Sequence, residues 1–429
     1  MLLNRISLTL AAVCAAISLS WINSVADEKD FLTEILRQID GEGLPHRSKL
    51  VDDCQLRIVY VQIDRNKNQD PKLKYYTLGL ERNDYFYPAS LVKLPVSFMA
   101  LERVNELKKS YVPWLDKNTK LEIIQAEDCQ SSLYTDSTTK EGHANLAGFI
   151  RRILTASDNP SYNRLYDFLG QEVIRDKLRA KGFNKTRIPI RFSDCDREQN
   201  RYSPYIRFSD VQSGLTFNLP ARFNADTAYL YSKNRKAGKA YVEKNKTIWR
   251  AKDFSQSNEL PLQEAVEMMV RFVVPENVSK EKRWNLTETD RQFLWQYFAT
   301  YPSKSGLPEY QDSVKFPRHL KKYFLHDAKA KLKWSESIKV FNIVGMAYGF
   351  VTDVSYVVDL ETGVEFILAA SVIANENGII GDGRYNYEKL AFPLFGRLFN
   401  KIYDHELNRK REHKSDFKEI REALSKPMM

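Results

Sequence analysis

Ile338-Lys-Val-Phe-Asn-Ile-Val-Gly-Met-Ala-Tyr-Gly-Phe-Val-Thr-Asp-Val-Ser-Tyr-Val-Val-Asp-Leu-Glu-Thr-Gly-Val-Glu-Phe-Ile-Leu-Ala-Ala-Ser-Val-Ile-Ala374 is the stretch that decides the fold. Its β-branched and aromatic residues predict three strands, Ile338 to Val344, Thr352 to Leu360 and Val364 to Ala374. Glu361-Thr362-Gly363 makes the last connection a hairpin. Near the other end, Leu56-Arg-Ile-Val-Tyr-Val-Gln-Ile-Asp64 alternates and reads as a strand. A polar stretch, Arg65 to Pro71, leads to a second strand near Lys74 to Leu80. Helical patterns occupy Phe31 to Gln38, Leu91 to Leu107, Asn145 to Leu178, Met268 to Val274 and Glu288 to Thr300, where Thr287 or Glu288 opens the helix. A closing helix runs from Tyr387 to Tyr403. Two strands first, three last and helices between predict an antiparallel sheet of about five strands built from both termini. The class is α+β, with helices packed on the sheet and an all-α subregion.

Composition narrows the function. The 429 residues are 43% hydrophobic and 12% aromatic, which excludes a disordered chain. No apolar run of about 18 residues follows the N-terminus, so a polytopic membrane protein is excluded. Lys+Arg 65 against Asp+Glu 55 gives +10. Read as spread along the chain, that excess does not call for nucleic acid, and the basic stretch Arg409 to Lys426 reads as a solvated helix. Arg5, an apolar stretch from Ile6 to Trp21 and the small residues Ser24-Val25-Ala26 form a secretory signal over residues 1–26. The expected location is secreted or periplasmic, with no membrane span after cleavage. Residues 27–429 are expected to form a single catalytic domain, with 221–334, richer in Lys, Tyr and Trp, as an insertion.

Cys54, Cys129 and Cys195 would remain in the mature chain, enough for one disulfide and one free thiol in an oxidising compartment. There is no Cys-x-x-Cys, His-Glu-x-x-His, Gly-x-Ser-x-Gly, phosphate loop or Gly-x-Gly-x-x-Gly. Neither a metal nor a cofactor is expected.

The chemistry concentrates at three places. In Tyr87-Pro-Ala-Ser90-Leu-Val-Lys93-Leu-Pro95, Ser90 and Lys93 lie one helical turn apart. Ser-x-x-Lys alone is weak, since it recurs at Ser137/Lys140, Ser279/Lys282 and Ser415/Lys418. Only the first copy follows two strands and opens an apolar helix. A Lys amine held in apolar surroundings loses proton affinity and is able to accept the Ser90 proton. The competing reading is a Ser N-cap followed by a surface Lys. The second place is Ala156-Ser157-Asp158-Asn159-Pro160-Ser161. Ser157 is suited to relay a proton and Asn159 to bond a substrate amide, while Asp158 braces the turn; a plain capping cluster is the alternative. The third is Phe341-Asn-Ile343-Val-Gly345-Met346-Ala-Tyr-Gly-Phe350, a strand whose Gly345 permits close approach of another backbone.

In this order the three segments resemble the serine β-lactamase and penicillin-binding-protein superfamily, nearest to class A-like serine hydrolases with Ser-x-x-Lys, Ser-Asp-Asn and Lys-Thr-Gly signatures. The resemblance covers most of the mature chain and implies the β-lactamase/transpeptidase-like fold. It implies Ser90 as acylated nucleophile, Lys93 as general base, Ser157 as proton relay and Asn159 as substrate-amide ligand. The oxyanion site would be the backbone amides of Ser90 and Met346, the latter following Gly345.

Two departures stand out. Ile343 occupies the place of the Lys in Lys-Thr-Gly, and a charge-assisted bond of that kind contributes roughly 1.5–3 kcal/mol. Lys339, about 13 Å back along the strand at 3.3 Å per residue, is a poor substitute. The Glu that activates deacylating water in class A enzymes has no counterpart in Arg191-Phe-Ser-Asp-Cys-Asp-Arg-Glu-Gln-Asn200. Asp194, Asp196 and Glu198 are the acids available there, and solvated loop positions are the simpler reading of all three.

The leading expectation is an exported serine hydrolase acting on a small-molecule β-lactam or related amide through an acyl-enzyme on Ser90. The missing Glu suggests the alternative of a D-Ala-D-Ala carboxypeptidase-like enzyme acting on a peptidoglycan-derived substrate. Ile343 suggests a catalytically impaired binding protein.

Overall fold

The computed structural model describes residues 30–41, 43–82, 84–139, 141–317, 320–326 and 335–428. The segment read as a secretory signal lies outside them. At the centre is one antiparallel five-stranded sheet. Its strands are β1 (Arg57–Arg65), β2 (Pro71–Leu78), β3 (Ile338–Ala347), β4 (Phe350–Asp359) and β5 (Glu365–Ile373), in the order β3-β4-β5-β1-β2. The two termini thus meet in the middle, where Ile58 pairs with Ala370 and Val61 with Ile367. Tyr348 and Gly349 both have positive φ, 57° and 89°, so a two-residue turn joins β3 to β4 with a twist that suits the sheet.

Both faces of the sheet are buried, and the alternation is strict. Val59, Val61, Phe341, Ile343, Val354 and Ile367 enter the core on one face. Ile58, Tyr60, Val340, Val344, Val357 and Phe366 enter the core on the other. A one-residue slip of any strand would exchange the two sets, so register is strongly specified. The second face is covered by the helix over 30–39 and by a C-terminal helix, Phe392–Asn408, through Leu32, Leu36, Leu394, Phe395 and Phe399. Beside that core, at the edge strand β3, sits a buried polar cluster. Asn342 Nδ2 donates to Asp353 Oδ1 at 3.0 Å, and Lys322 Nζ donates to the Val340 carbonyl at 2.7 Å.

The first face carries α1 (Lys93–Ser110), α2 (Leu146–Ala156), α3 (Asn159–Ala180), α4 (Leu262–Val273) and α5 (Glu288–Ala299). Thr287 caps α5 in a reciprocal capping box with Asp290. An aromatic chain runs from α1 to the sheet, with Phe98–Phe272 centroids at 5.2 Å, Phe272–Trp295 at 4.4 Å and Trp295–Phe341 at 4.9 Å. Helices α4 and α5 lie within 221–334 and so help fill the main core, tying the helix that follows Ser90 to strand β3.

The helical stretch read over Asn145 to Leu178 is broken twice, at Ser157 and, within α3, at Gly170 (φ 74°, ψ 161°). Ser157 is left-handed (φ 57°, ψ 41°) and ends α2, and Asp158 then caps α3. The subregion read as all-helical also contains a small antiparallel sheet of Lys120–Ile124, Tyr205–Ser209 and Thr216–Leu219. Its Leu121, Ile123, Ile206 and Phe208 alternate into the core, a period-2 pattern too short to stand out beside the helices.

Candidate active site

Ser90 lies in a single 3-10 turn, Ala89–Val92, that feeds directly into α1 at Lys93. Ala89 has φ 45°, a left-handed conformation that costs a non-glycine residue about 1 kcal/mol or more and is held only where neighbours enforce it. Here the enforcing neighbour is β3. A Cβ on Gly345 would lie 2.2 Å from the Pro88 carbonyl oxygen and 3.2 Å from the Leu91 amide nitrogen. Only glycine lets the strand pass that close to the turn. Met346, 40% exposed, is the next residue along the strand.

Lys93 is wholly buried, which removes the surface-Lys reading. Its Nζ lies 2.9 Å from Ser90 Oγ, 3.1 Å from Ser157 Oγ and 2.7 Å from Asn159 Oδ1, and it also meets the Ser157 carbonyl. Burial lowers its pKa to about 7, against a smaller opposing pull from the Asp158 carboxylate. At neutral pH much of the amine is therefore free base beside a serine hydroxyl. The break at Ser157 makes this possible, because the left-handed residue turns both Ser157 and Asn159 towards Lys93. Asp158 faces the other way and accepts the Ser161 amide at 2.7 Å. It braces the turn, as the sequence suggests. Three polar side chains from two segments thus meet around one nitrogen.

Ile343 is buried in the core and pairs with Val354. No cation takes its place on the strand.

The loop 191–200 is built rigidly. Buried Arg191 donates to Asp167 Oδ1 at 2.7 Å and to the Tyr202 carbonyl at 2.6 Å. Asn163 clamps the backbone of Phe192 on both sides: it accepts from the Phe192 amide at 2.8 Å and donates to its carbonyl at 3.0 Å. Cys195 is disulfide-bonded to Cys129, which leaves Cys54 as the free thiol among the described residues. The clamp sets the Phe192 ring 5.3 Å from Lys93 Nζ and 4.6 Å from the Tyr162 ring. Asp194, Asp196 and Glu198 are exposed; Asp196 accepts the Gln199 amide and Glu198 pairs with Arg201. What the loop presents to Lys93 is a ring, not a carboxylate. Sequence reasoning passed over Phe192 and Asn163, and an Asn four residues after Asn159, on the same helix face, was the available signal.

A cavity of about 590 Å³ opens beside the Ser157–Asn159 turn, lined by Asp158, Ser161, Arg164, Arg152 and Glu309 among others; Ser90 and Lys93 are not in its wall. Among the described residues no group of three or more His, Cys, Asp or Glu is placed to hold a metal ion, and no helix is long and apolar enough to cross a membrane.

Among solved structures, the chain is similar to a beta-lactamase from Burkholderia phymatum (TM-score 0.45, 11% identity, covering 90% of this chain and 100% of that one). It is similar also to a beta-lactamase from Desulfarculus baarsii (0.47, 13%, 90% and 99%) and to the chromosome-encoded beta-lactamase of Vibrio parahaemolyticus (0.41, 12%, 85% and 98%). No curated protein matches in sequence. The family model described as "Beta-lactamase enzyme family" matches residues 53–209, the span from just before β1 through the Ser90, Lys93, Ser157 and Asn159 cluster to the loop that carries Phe192. Over residues 53–209, a little over a third of the chain, this protein is therefore similar to the beta-lactamase enzyme family.

Proposed function

We propose that this protein is an exported serine hydrolase of β-lactamase type that cleaves a β-lactam or related amide through an acyl-enzyme on Ser90. The observation that carries the reading is the buried Lys93 amine, within hydrogen-bond reach of Ser90, Ser157 and Asn159, with a pKa brought down to about 7. In this mechanism neutral Lys93 takes the Ser90 proton as Oγ attacks the amide carbonyl. Negative charge then develops on the carbonyl oxygen, and the backbone amides of Ser90 and Met346 receive it. Ser157 passes the proton to the departing nitrogen, and Asn159 holds the substrate's side-chain amide. The Cys129–Cys195 disulfide supports an oxidising compartment, and with it export.

One observation favours a second reading for the fate of the acyl-enzyme. The ring of Phe192, not a carboxylate, covers Lys93, and no acid of the loop supplies a base for water. A long-lived acyl-enzyme follows, the behaviour of a D-Ala-D-Ala carboxypeptidase-like or penicillin-binding enzyme rather than of a fast β-lactamase. Ile343 keeps alive the third reading, a binding protein of impaired activity.

Intact-protein mass spectrometry after exposure to benzylpenicillin, a cephalosporin and a D-Ala-D-Ala-type thioester tests the proposal. An adduct mapping to Ser90, lost in Ser90→Ala and Lys93→Ala, is expected. No adduct with any of the three donors overturns it. Release of D-Ala from a muropeptide would select the second reading.

A further inference from the structure

The chain's positive charge is not evenly spread, as its composition first suggests. Residues 231–252 hold eight Lys and Arg against one acid, Glu243, in a chain whose net charge is +10. The structure folds this stretch into a small lobe. Ala240–Glu243 pairs with Lys246–Ile248 on one side and, in parallel, with Ile379–Ile380 on the other; Lys236–Ala237 pairs with Lys252–Asp253. Lys233, Lys236, Lys239, Lys244 and Lys246 are all exposed, and none makes a salt bridge among the described residues. The acid-paired cation of the stretch is Arg235, on Glu259. Beside the lysines Trp249 stands 78% exposed and Tyr231 50% exposed. A solvated charged face ordinarily mixes both signs evenly; here five exposed lysines stand against exposed Glu243 and, one residue beyond the stretch, Asp253, with a large exposed indole beside them.

The root of the lobe joins it to the candidate active site. Phe254 packs on Tyr87 at 5.4 Å and on Tyr348 at 6.2 Å, and Tyr87 meets Tyr348 at 5.6 Å between centroids. Tyr87 stands three residues before Ser90, and Tyr348 two after Met346. The root of the lobe is thus packed against residues that flank Ser90 and Met346 in sequence.

We propose that the lobe over residues 231–252 is a docking surface for a polyanionic glycan, a polymer with carboxylate or phosphate groups repeated along a sugar chain. Five exposed lysines are mobile point charges on flexible stems, suited to a diffuse row of anions. A fixed guanidinium fork would instead suit bidentate recognition of single groups. An exposed indole offers a flat apolar face to the C–H face of a sugar ring. Charge of one sign also speeds encounter with such a polymer in a salt-dependent way.

Binding of the full-length protein to polygalacturonate, neutral dextran and single-stranded DNA tests this. Affinity is measured as salt rises from about 0.01 M to about 1 M, over which the screening length falls from about 30 Å to about 3 Å. Polygalacturonate should bind at low salt and release at high salt, and dextran should not bind. The variant Lys233→Glu/Lys236→Glu/Lys244→Glu/Lys246→Glu should bind roughly tenfold more weakly or worse. A control with equal net charge, Lys49→Glu/Lys67→Glu/Lys108→Glu/Lys109→Glu, reverses exposed lysines elsewhere and should bind like the wild type. Thermal melting confirms that both variants fold, and Trp249→Ala gives a second weakening without a change of charge. Equal loss in the two quadruple variants, or DNA bound more tightly than polygalacturonate, overturns the proposal. Ser90→Ala should bind polygalacturonate as the wild type does, so this result and the acylation result fail independently.

Discussion

Lys93 allows the sharpest test, because the proposed chemistry turns on its protonation. An ordinary Lys side chain, at 10.5, is almost entirely protonated at neutral pH; at about 7 the Lys93 amine is divided between its two forms. If the neutral amine is the base for Ser90, the acylation rate constant should follow its fraction. That is about half of the plateau at pH 7, about a tenth at pH 6 and about a hundredth at pH 5, levelling off above pH 8. Single-turnover acylation by a chromogenic cephalosporin, followed by stopped flow across this range, reads the curve directly. Asp158 provides an internal check, since its charge raises the Lys93 pKa. In Asp158→Asn, which keeps a helix-capping side chain, the inflection should move to lower pH. Folding linkage has a definite sign as well. Between about 7 and 10.5 the unfolded chain binds the Lys93 proton and the native chain does not, so this group's contribution to stability rises with pH across that window. A rate that is flat from pH 5 to pH 8, or that inflects near 10, would refute Lys93 as the base.

Three further outcomes follow from the geometry. Gly345→Ala puts a Cβ 2.2 Å from the Pro88 carbonyl oxygen, so β3 must withdraw from the Ser90 turn. Acylation should fall by about 10²–10³-fold, and a wild-type rate constant would show that the strand contributes no donor. Phe192→Glu places a carboxylate where the ring now meets Lys93, and the acyl-enzyme lifetime, read by time-resolved intact mass, should shorten at least about tenfold. The acid limb of its acylation curve should move to higher pH, because the new charge favours the ammonium. Cys129→Ser/Cys195→Ser opens a cross-link spanning 66 residues. It should cost roughly 4 kcal/mol by the loop-entropy relation, read as a lower urea midpoint, and an unchanged midpoint would mean that the unfolded chain does not gain freedom there.

The sheet was legible because β1, β3, β4 and β5 carry β-branched residues alternating between two buried faces, and that pattern survives without knowledge of the partners. Ser90, Lys93, Ser157 and Asn159 were legible as spacing, and their convergence on one nitrogen matches the separations read. Three things were hidden. The first break of the Asn145 to Leu178 stretch depends on a left-handed Ser157, and serine is not a residue that announces positive φ. Phe192 reaches Lys93 only because Asn163 grips its backbone from another helix, a long-range contact with no periodicity. The basic lobe was visible as a shift towards Lys, Tyr and Trp, but only the short strand pairings gather those exposed lysines into one lobe. The buried Lys322, Asn342 and Asp353 were likewise silent, since each is ordinary in its own segment.

The meeting of the two chain ends in one sheet has a consequence in time. Ser90 and Lys93 emerge early in synthesis, whereas the strand with Gly345 and Met346 emerges last but for its hairpin partners and the closing helix. A nascent or truncated polypeptide ending before Ile338 holds Ser90 and Lys93, the proposed nucleophile and base. It lacks the strand that holds the Ser90 turn in place and the Met346 amide proposed to receive the oxyanion. In the mechanism proposed, reactivity at Ser90 is therefore withheld until nearly the whole chain has been made and its ends have paired.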